Sequence, residues 1–492
     1  MTRVLLLTEG TYPFVDGGVS TWCDQIVRGM PEVAFTVYAI TGGVEATARY
    51  DLPPGTGLVQ VPLWGVEHPA EWGLPTGGAI ATARRRLAVR GPVAERFAGM
   101  LAGLLADLAA PEADPLGAGR RLAALHRFLL AHDFPAAMAR VETWRAFREA
   151  AREAAWARGA SAEDLTTCLR WLRALLMPLA LPVPRADVSH ATISGLAALP
   201  GVVARIERGT PLLLTEHGVY LRERYLAVAG TDLPDAQRRF LLALAELTAA
   251  VTYAHADHVA PVCSYNSRWE HRLGVPPERV RPIWNGIDPS LFTPRDTPPT
   301  SPGYGRPTAV AAARVFPLKD IETMIRAAAR TRERIPDVLF LLYGSLTADP
   351  PYVERCRALI AELGLEETFV PAGLAPEPTE IFNQGDIGVL SSVSEAFPYT
   401  VLEALACARP VAATDVGGVA EMLEGWGALV PPRDPVALGD ACADLLADRS
   451  RRAMLGRRGR ERVLARFRSQ MVVDGYRDLY RRLAPAAERA AA

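Results

Sequence analysis

Short apolar runs alternate with amphipathic stretches at both ends of the 492-residue chain, whereas the middle of the chain has a different pattern. An apolar run at 3–8 predicts a first strand, followed by a loop rich in turn formers and a helix that we expect to begin near Ser20. A second strand is predicted at 34–40. Later strands of the first half are predicted at 187–191, 211–216, 259–264 and 280–284.

From about residue 64 to residue 184 the chain is rich in Ala, Leu and Arg at helical spacing and lacks a convincing strand pattern. We interpret this stretch as a helical insertion. A Pro-rich segment at 294–307 is typical of an interdomain linker. Beyond it, strands are predicted at 309–315, 338–343, 368–372, 387–390 and 411–414, with helices such as 321–334 and 353–363 between them.

This alternation predicts the fold class, because parallel strands need crossover helices that cover both faces of the sheet. We expect an α/β protein with two Rossmann-like, doubly wound parallel-sheet domains that face a cleft, at 1–293 and 308–465. The helical insertion at 64–184 belongs to the first domain, and the linker at 294–307 separates the two domains. Ligands of such open sheets bind beyond the carboxyl ends of the strands.

Composition narrows the class of protein further. Hydrophobic residues make up 49% of the chain and the net charge is −1, which is typical of a soluble globular protein and gives no reason to expect a nucleic-acid partner. No stretch reaches the roughly 18 uninterrupted apolar residues of a membrane span. The first apolar run lacks the length and cleavage site of a signal peptide. The six cysteines form no CxxC pair, which favours buried, reduced thiols in a cytoplasmic protein.

Two glutamates separated by seven residues form the sharpest local pattern. Glu395 follows a predicted strand, and a helix is expected to start near Tyr399. Free amides of Thr400 and Val401 at the positive end of that helix would offer a phosphate site. Glu403, one turn further on, can accept hydrogen bonds from a ribose diol, and Glu395 can do the same for sugar hydroxyls. A loop glutamate and a solvated helix glutamate without any ligand explain the spacing equally well.

Arg314 and Lys319 follow another predicted strand, where the chain turns into the next helix. Both can reach a diphosphate bound near Thr400. The planar fork of arginine and the point charge of lysine suit a leaving group that gains negative charge. An ordinary surface pair beside a helix start is the alternative.

The first half contains two further candidates. Gly17 and Gly18 lie before a helix for which Ser20 is a plausible N-cap, and paired glycines let the backbone approach a ligand, although a tight turn without a ligand fits as well. The pattern is not GxGxxG, which disfavours a nicotinamide dinucleotide. His217 ends an apolar strand and is expected to face the cleft. His190 is placed similarly, but a buried structural role suits it at least as well.

No metal site is expected. His255, Asp257 and His258 lie close together in sequence, but no further set of ligands accompanies them. The arginine-dense run at 449–468 is interpreted as the solvated face of a helix rather than as a membrane contact, because Leu, Val and Phe residues interleave with the arginines.

Five segments, in this order, resemble glycosyltransferase family 4. They are Gly17-Gly18, NGID at 285–288, RVFPLKD at 314–320, SEAFPYTVLEALA at 394–406 and ATDVGGVAEML at 413–423. The segment ARFRSQMVVDGYRDLY is similar to the last helices of that family, so 466–492 is expected to cross back to the first domain. More narrowly, EGTYPFVDGGVSTW, DVSHATISG, PLLLTEHGVYLRER and SYNSRWEHRLG resemble the Pel exopolysaccharide glycosyltransferase group, which also has a helical insertion.

The resemblance implies a retaining GT-B glycosyltransferase that moves a sugar from a UDP-sugar, UDP-glucose in the first instance, to a saccharide acceptor. The product would belong to an exopolysaccharide or a glycoconjugate. By position, Arg314 and Lys319 would bind the diphosphate, Glu403 the ribose and Glu395 the donor sugar. Gly17 would contribute to donor binding.

His217 and Gly18 would lie beside the transferred sugar in the same family picture. The departing phosphate oxygen would deprotonate the acceptor hydroxyl, so no general-base carboxylate and no cofactor or metal is implied. Consistent with this, the chain has no Asp-x-Asp pair, through which other glycosyltransferases hold a divalent metal.

Some residues depart from the family pattern. Ala313 and Arg409 stand where many members have glycine, and Phe-Pro-Tyr follows Glu395-Ala396 in place of Gly-Phe-Gly. Two alternatives stay open beside the transferase: a nucleotide-sugar-binding assembly subunit of a membrane polysaccharide synthase complex, and a GT-B nucleotide-sugar epimerase. A peripheral position at the inner face of the membrane goes with the first alternative.

Overall fold

The computed structural model describes residues 1–66 and 78–484, so part of the insertion predicted at 64–184 lies outside the described residues. The chain divides into two compact units. The first comprises Met1–Pro261, Ser267–Pro282 and the chain from Tyr476 onward, and the second comprises Val262–Asn266 and Ile283–Gly475. The Pro-rich segment at 294–307 is therefore counted with the second unit.

The first unit contains a parallel sheet with the strand order β3-β2-β1-β4-β5-β6. Its strands are β1 (Thr2–Glu9), β2 (Val33–Thr41), β3 (Gly57–Pro62), β4 (Val188–Ala191), β5 (Leu212–Glu216) and β6 (His258–Pro261). Its helices are α1 (Gly18–Gly29), α2 (Gly78–Ala88), α3 (Pro92–Ala109), α4 (Pro115–Ala131), α5 (Phe134–Met138), α6 (Val141–Glu153), α7 (Ala162–Leu175), α8 (Leu199–Arg208), α9 (Tyr220–Ala229) and α10 (Asp235–His255).

The central strand β1 is buried and pairs in parallel with both of its neighbours. Five consecutive residues of β1 are buried, as expected for a strand with helices on both faces. Leu5 pairs with Thr36 on one side and with Ser189 on the other. The helices from α3 to α7 share one hydrophobic cluster with this sheet, in which Phe97 and Leu7 are both fully buried. The insertion is thus part of the core of the first unit, and the prediction that it is helical is confirmed for 78–184.

The second unit contains a parallel sheet with the order β12-β11-β10-β7-β8-β9. Its strands are β7 (Thr308–Ala312), β8 (Leu339–Tyr343), β9 (Phe369–Gly373), β10 (Ile387–Leu390), β11 (Val411–Thr414) and β12 (Ala428–Val430). Two helices, α11 (Ser264–Arg272) and α18 (Ser469–Leu483), have residues in both units. The remaining helices are α12 (Ile321–Arg334), α13 (Pro350–Glu362), α14 (Tyr399–Ala406), α15 (Val419–Leu423), α16 (Pro435–Ala447) and α17 (Arg449–Arg466).

Aspartate N-caps start several helices of the second unit. The carboxylate of Asp320 accepts a hydrogen bond from the amide of Thr323, and Asp349, Asp434 and Asp448 cap α13, α16 and α17 in the same way. Each such cap satisfies one backbone donor that the helix leaves open, which contributes about 1 kcal/mol. The starts of these four helices are therefore set by a local residue.

The part of α18 that belongs to the first unit is fixed by two buried tyrosines. The hydroxyl of Thr215 at the end of β5 donates to the Tyr476 oxygen at 2.9 Å, and the Tyr480 hydroxyl lies 2.7 Å from Nδ1 of His190. Tyr476 and Tyr480 are at most 1% exposed. Thus α18 contributes side chains to the carboxyl ends of β4 and β5.

Some sequence predictions need correction. The strand expected at 280–284 is absent from the described secondary structure, since Val280 forms only an isolated bridge with Val259. The prediction missed β3 and β12. All six cysteines are buried and free, as expected.

Over residues 1–66 and 78–484, no helix has the length and apolar content needed to cross a membrane.

Candidate functional site

The sheet of the second unit reverses its strand order between β7 and β10. The chain proceeds from β7 toward β9 and from β10 toward β12, so the connections after these two neighbours leave in opposite directions. The crevice at such a switch point receives the ligands of doubly wound sheets. The loop after β7 carries Arg314 and Lys319, and the loop after β10 carries Glu395. Three predicted site residues therefore lie in the two loops of one switch point.

The loop after β7 is packed closely against the end of β8. The amide of Ala313 donates to the carbonyl of Tyr343 at 2.8 Å. Gly344 has φ +146°, and a Cβ at this position would overlap the carbonyl oxygen of Ala313, so the close approach requires glycine. Arg314 is exposed, and its guanidinium carbon lies 5.2 Å from the centre of the Phe316 ring. The loop thus presents a guanidinium group to solvent from a rigid turn.

An ion pair joins the two loops. The ammonium group of Lys319 contacts Oε1 of Glu395, and the Ser392 hydroxyl donates to the same oxygen at 2.7 Å. Only 21% of the Lys319 side chain and 12% of the Glu395 side chain are exposed, so the pair is largely shielded from water. The hydroxyl of Ser391 donates to the backbone carbonyl of Lys319 at 2.8 Å, which ties the backbones of the two loops together. Both charges are therefore held in place before any ligand binds.

Lys319 is also the only lysine in the chain, because every other one of the 54 basic residues is arginine. Lysine presents a compact charge with three rotatable donors, whereas arginine presents a planar fork. All the other basic side chains among these 54 are arginines, and the one lysine ammonium group lies beside Glu395. This compositional signal was missed in the sequence analysis, although it marks Lys319 without any structure.

A pair of glycines after β11 packs against the backbone of the loop that carries Glu395. Gly417 has φ +57°, and a Cβ there would overlap the carbonyl oxygen of Glu395. The amide of Gly418 donates to the carbonyl of Ala396 at 2.6 Å. Asn285 Nδ2 donates to the carbonyl of Phe397 at 3.0 Å. The segments NGID and ATDVGG therefore act on the site by holding the backbone of 395–397.

Helix α14 begins at Tyr399, where the sequence predicted a helix start. The amide of Thr400 has no acceptor among residues 1–66 and 78–484. The amide of Val401, in contrast, donates to the carbonyl of Pro398 at 3.2 Å, so the expectation that this amide is free is wrong. The first turn has closed as a tight turn, which uses one of the open donors. Thr400 retains the geometry of an anion contact.

Glu403 lies one turn into α14 and is partly buried. Burial raises the pKa of Glu403 to about 7, because the neutral carboxyl group loses less solvation free energy on leaving water than the carboxylate does. Near neutral pH this side chain is therefore close to half ionised. A ligand that donates hydrogen bonds to the carboxylate would favour the ionised form.

In the first unit, Gly17 precedes α1, and Gly18 is its first residue. The prediction that Ser20 is the N-cap is wrong, because Ser20 lies inside the helix and its hydroxyl donates to the carbonyl of Val15 at 2.5 Å. Within residues 1–66 and 78–484, no side chain caps this helix. The amides of its first turn are therefore left to water or a ligand.

The two predicted histidines have different surroundings. The ring of His217 packs edge-on against Trp22 with centroids 4.7 Å apart, and its Nε2 is buried without a partner among the described residues. His190 is fully buried and contacts Tyr480 and, at 2.8 Å through Nε2, Thr215. Burial lowers the pKa of each histidine to about 3, so both are neutral near pH 7. His190 fits the structural role weighed above, whereas Nε2 of His217 is buried without a hydrogen-bond partner in the described part of the chain.

The histidines of the α10–β6 turn do not form a metal cluster. Asp257 pairs with Arg205 at 2.8 Å and accepts the amide of Leu212 at 2.9 Å. Within the part of the chain that the structure describes, no group of three or more His, Cys, Asp or Glu side chains is placed to hold a metal ion. Independence from metal remains a prediction.

Sequence reasoning missed a buried acid next to His217. Glu216 is fully buried and accepts hydrogen bonds from the Ser194 amide at 2.9 Å and the Tyr253 hydroxyl at 3.0 Å. Burial raises the pKa of Glu216 to about 7 despite these bonds. Burial and the charge of Glu216 raise the pKa of Glu270 to about 9. A glutamate directly before a histidine at a strand end was the available signal.

The second unit can therefore bind a ligand in which an anionic group lies next to hydroxyl groups. It offers a guanidinium group, an ammonium group and an open helix amide for the anion, with two carboxylates that can accept from hydroxyls.

Comparison with known proteins agrees with this chemistry. The family model described as "Glycosyl transferases group 1" matches residues 298–462, and the model "Domain of unknown function (DUF3492)" matches residues 2–278. A D-inositol 3-phosphate glycosyltransferase of Saccharomonospora viridis is 30% identical over 311 residues, which are 60% of this chain and 69% of that protein. The chain belongs to the group 1 glycosyltransferases, and its first half is a DUF3492 domain.

A second relative of this group 1 glycosyltransferase is also named D-inositol 3-phosphate glycosyltransferase. The D-inositol 3-phosphate glycosyltransferase of an Arthrobacter species is 30% identical over 55% of this chain, and the match spans 64% of that relative's length.

Among solved structures, a sucrose-phosphate synthase of Thermosynechococcus elongatus has a TM-score of 0.62 at 19% identity over 98% of this chain and 99% of that one. Anabaena HepE in complex with UDP and glucose has a TM-score of 0.59 at 15% identity over 97% of this chain and 99% of that one. These likenesses concern the fold alone, and they confirm the GT-B class with two parallel sheets.

Proposed function

We propose that this group 1 glycosyltransferase moves a sugar from a UDP-sugar, UDP-glucose in the first instance, to a saccharide acceptor, with retention of configuration and without a metal ion. The observation that carries the proposal is the shielded ion pair of Lys319 and Glu395 at the switch point of the second unit, in which Lys319 shares its loop with the exposed Arg314. The pair places a cation for the diphosphate and an anion for sugar hydroxyls in contact with each other.

The diphosphate would be bound by positive charge from the chain. Lys319 donates one hydrogen bond to Glu395, and its ammonium group has two further N–H donors. Arg314 can engage two oxygens at once, and the amide of Thr400 supplies a neutral donor at a helix start. As the bond to the sugar breaks, these groups would stabilise the charge that grows on the leaving phosphate. In this proposal these groups take the place that a metal ion has in other glycosyltransferases.

The sugar and the ribose would be held by carboxylates. Both hydrogen bonds to the Glu395 side chain end on Oε1, so in the described part of the chain Oε2 is open to donor-sugar hydroxyls. Glu403 would accept from the ribose diol. His217, neutral and with a buried Nε2 that lacks a partner among the described residues, is assigned to the transferred sugar by the family resemblance. With no separate base, the departing phosphate oxygen would deprotonate the acceptor hydroxyl on the same face.

The substrate classes rest on relatives and resemblance. HepE, which has this fold, has been crystallised with UDP and glucose, which favours UDP-glucose as the first donor to try. The resemblance to the Pel group favours an exopolysaccharide or glycoconjugate acceptor in the cytoplasm. Relatives named D-inositol 3-phosphate glycosyltransferase favour a second acceptor class, a phosphorylated polyol, which belongs in any acceptor panel.

The single lysine allows a direct test. In tag-free protein the only amines are the chain N-terminus and Lys319. An amine-reactive acetylating reagent can therefore be followed by intact mass and peptide mapping. Saturating UDP-glucose should slow acetylation of Lys319, in EDTA, while the N-terminal amine reacts at an unchanged rate as the internal control. Equal labelling of Lys319 with and without UDP-glucose would contradict the proposed donor site.

A further inference from the structure

Helix α2 exposes an apolar face where a surface helix normally buries one. Ile80 is 74% exposed and Leu87 is 58% exposed, and Ala83 and Arg84 between them are exposed as well. These four positions follow the i, i+3, i+4, i+7 spacing, so they lie on one side of the helix. The apolar stripe of an amphipathic helix faces the protein core in globular domains. In α2 this stripe faces solvent.

The opposite side of α2 is the one attached to the protein. Val89, directly after the helix, is fully buried in the hydrophobic cluster of the first unit. Thr82, which points away from Ile80, is partly buried. The orientation of the helix is thus fixed by its attachment, and the outward position of Ile80 and Leu87 follows from it.

The charge of this segment has one sign. From residue 78 to residue 90 the chain contains Arg84, Arg85, Arg86 and Arg90 and no acidic residue. All four side chains are exposed. Arg84 lies within the apolar stripe, whereas Arg85 and Arg86 project about 140° and about 120° from Ile80 in opposite senses around the helix.

We infer that α2 is a docking surface for the anionic face of a lipid bilayer. An interfacial helix inserts apolar side chains between headgroups while its arginines remain among the phosphates. Helix α2 presents Ile80, Leu87 and Arg84 on one outward side, and its other arginines are exposed around it. A protein groove suits this face less well, because Arg84 interrupts the apolar stripe and would lose its water there. This surface lies in the DUF3492 half and is independent of the donor site in the second unit.

Vesicle sedimentation tests the inference. The full-length protein should sediment with phosphatidylcholine vesicles containing phosphatidylglycerol and should stay in solution with pure phosphatidylcholine vesicles. Each arginine near an anionic surface strengthens binding roughly fivefold, so Arg84→Glu with Arg85→Glu and Arg86→Glu should weaken it on the order of 100-fold or more. The double variant Ile80→Ser with Leu87→Ser should weaken binding without any change of charge.

A matched variant controls for net charge. Arg449, Arg451 and Arg457 of α17 are also exposed, and reversing all three to glutamate changes the net charge by the same amount. This variant should bind vesicles within about twofold of the parent, and all variants should retain the circular dichroism and UDP-glucose binding of the parent. Absence of sedimentation with anionic vesicles, or equal losses for the α2 and α17 variants, would overturn the inference. Retained sedimentation of the α2 triple variant would overturn it too.

Discussion

Replacing Glu403 by glutamine should abolish the pH dependence of UDP-glucose binding between pH 6 and pH 8. Burial raises the pKa of Glu403 to about 7 in the free protein. If the ribose diol donates two hydrogen bonds to this side chain, the ligand binds the carboxylate and must displace a proton from the neutral acid. Affinity should therefore rise with pH through about 7 and level off above it.

The magnitude follows from the fraction ionised. With a pKa of about 7, roughly one-eleventh of the Glu403 side chains are ionised at pH 6 and ten-elevenths at pH 8, so the affinity of the wild type should differ about tenfold. UDP-glucose itself has no group that titrates in this range. His190 and His217, whose pKa values are lowered to about 3 by burial, stay neutral throughout. Glutamine at 403 should also weaken binding at pH 8 by about 1.5–3 kcal/mol, because hydrogen bonds to a charged acceptor are lost.

The assay is isothermal titration calorimetry at four or more pH values in buffers of different ionisation enthalpy, which also counts the protons released. Glu354→Gln, an identical chemical change at an exposed position of α13, serves as the control and should retain the tenfold dependence. Glu216 has a pKa raised by burial to about 7 as well, so the dependence must disappear in the Glu403 variant to be assigned to Glu403. A pH profile that is identical in wild type and Glu403→Gln would refute the reasoning.

Two further predictions concern the loops of the switch point. Lys319→Arg, which keeps the charge, should reduce UDP-glucose affinity at least tenfold in calorimetry. The planar guanidinium fork pairs readily with Glu395 but cannot reproduce the separate donors that the compact ammonium group directs to the diphosphate. Affinity within twofold of wild type would remove the significance of the single lysine. Gly417→Ala should lower the unfolding free energy by about 1–3 kcal/mol in urea denaturation, because φ is +57° and its Cβ would overlap the Glu395 carbonyl. Gly364→Ala is the control, because Gly364 has φ +59° and open space around its Cβ position, so this variant carries backbone strain without overlap. Gly418→Ala cannot serve, because its Cβ would also lie close to the Ala396 carbonyl.

The second unit was predictable because its strands and helices alternate regularly. The helix predicted at 321–334 is α12 without any change of boundary, since an aspartate cap starts it and its apolar spacing is continuous. The strand predicted at 387–390 is β10, also unchanged. Such elements carry their own start signals and a full apolar run, so local sequence determines them.

Other features depend on contacts that local sequence does not reveal. β12 has only three residues and is defined by pairing with β11, and β3 begins at an exposed glycine-rich turn. The pairing of Lys319 with Glu395 joins residues 76 positions apart and requires the crossover of the sheet. The burial that raises the pKa of Glu216 comes from distant segments, including Tyr253 on α10. The sequence pattern identified which residues could carry chemistry, and the topology determined which of them meet.

The measurement that tests the central claim most directly is calorimetric titration of the purified protein with UDP-glucose in the presence and absence of EDTA, with ADP-glucose and GDP-mannose in parallel. The account predicts saturable binding of UDP-glucose that EDTA leaves unchanged, that exceeds binding of the other two nucleotide sugars, and that is lost in Lys319→Ala. Absence of binding to any of the three, or binding that EDTA abolishes, would contradict a metal-independent donor site built from Arg314, Lys319, Glu395 and Glu403.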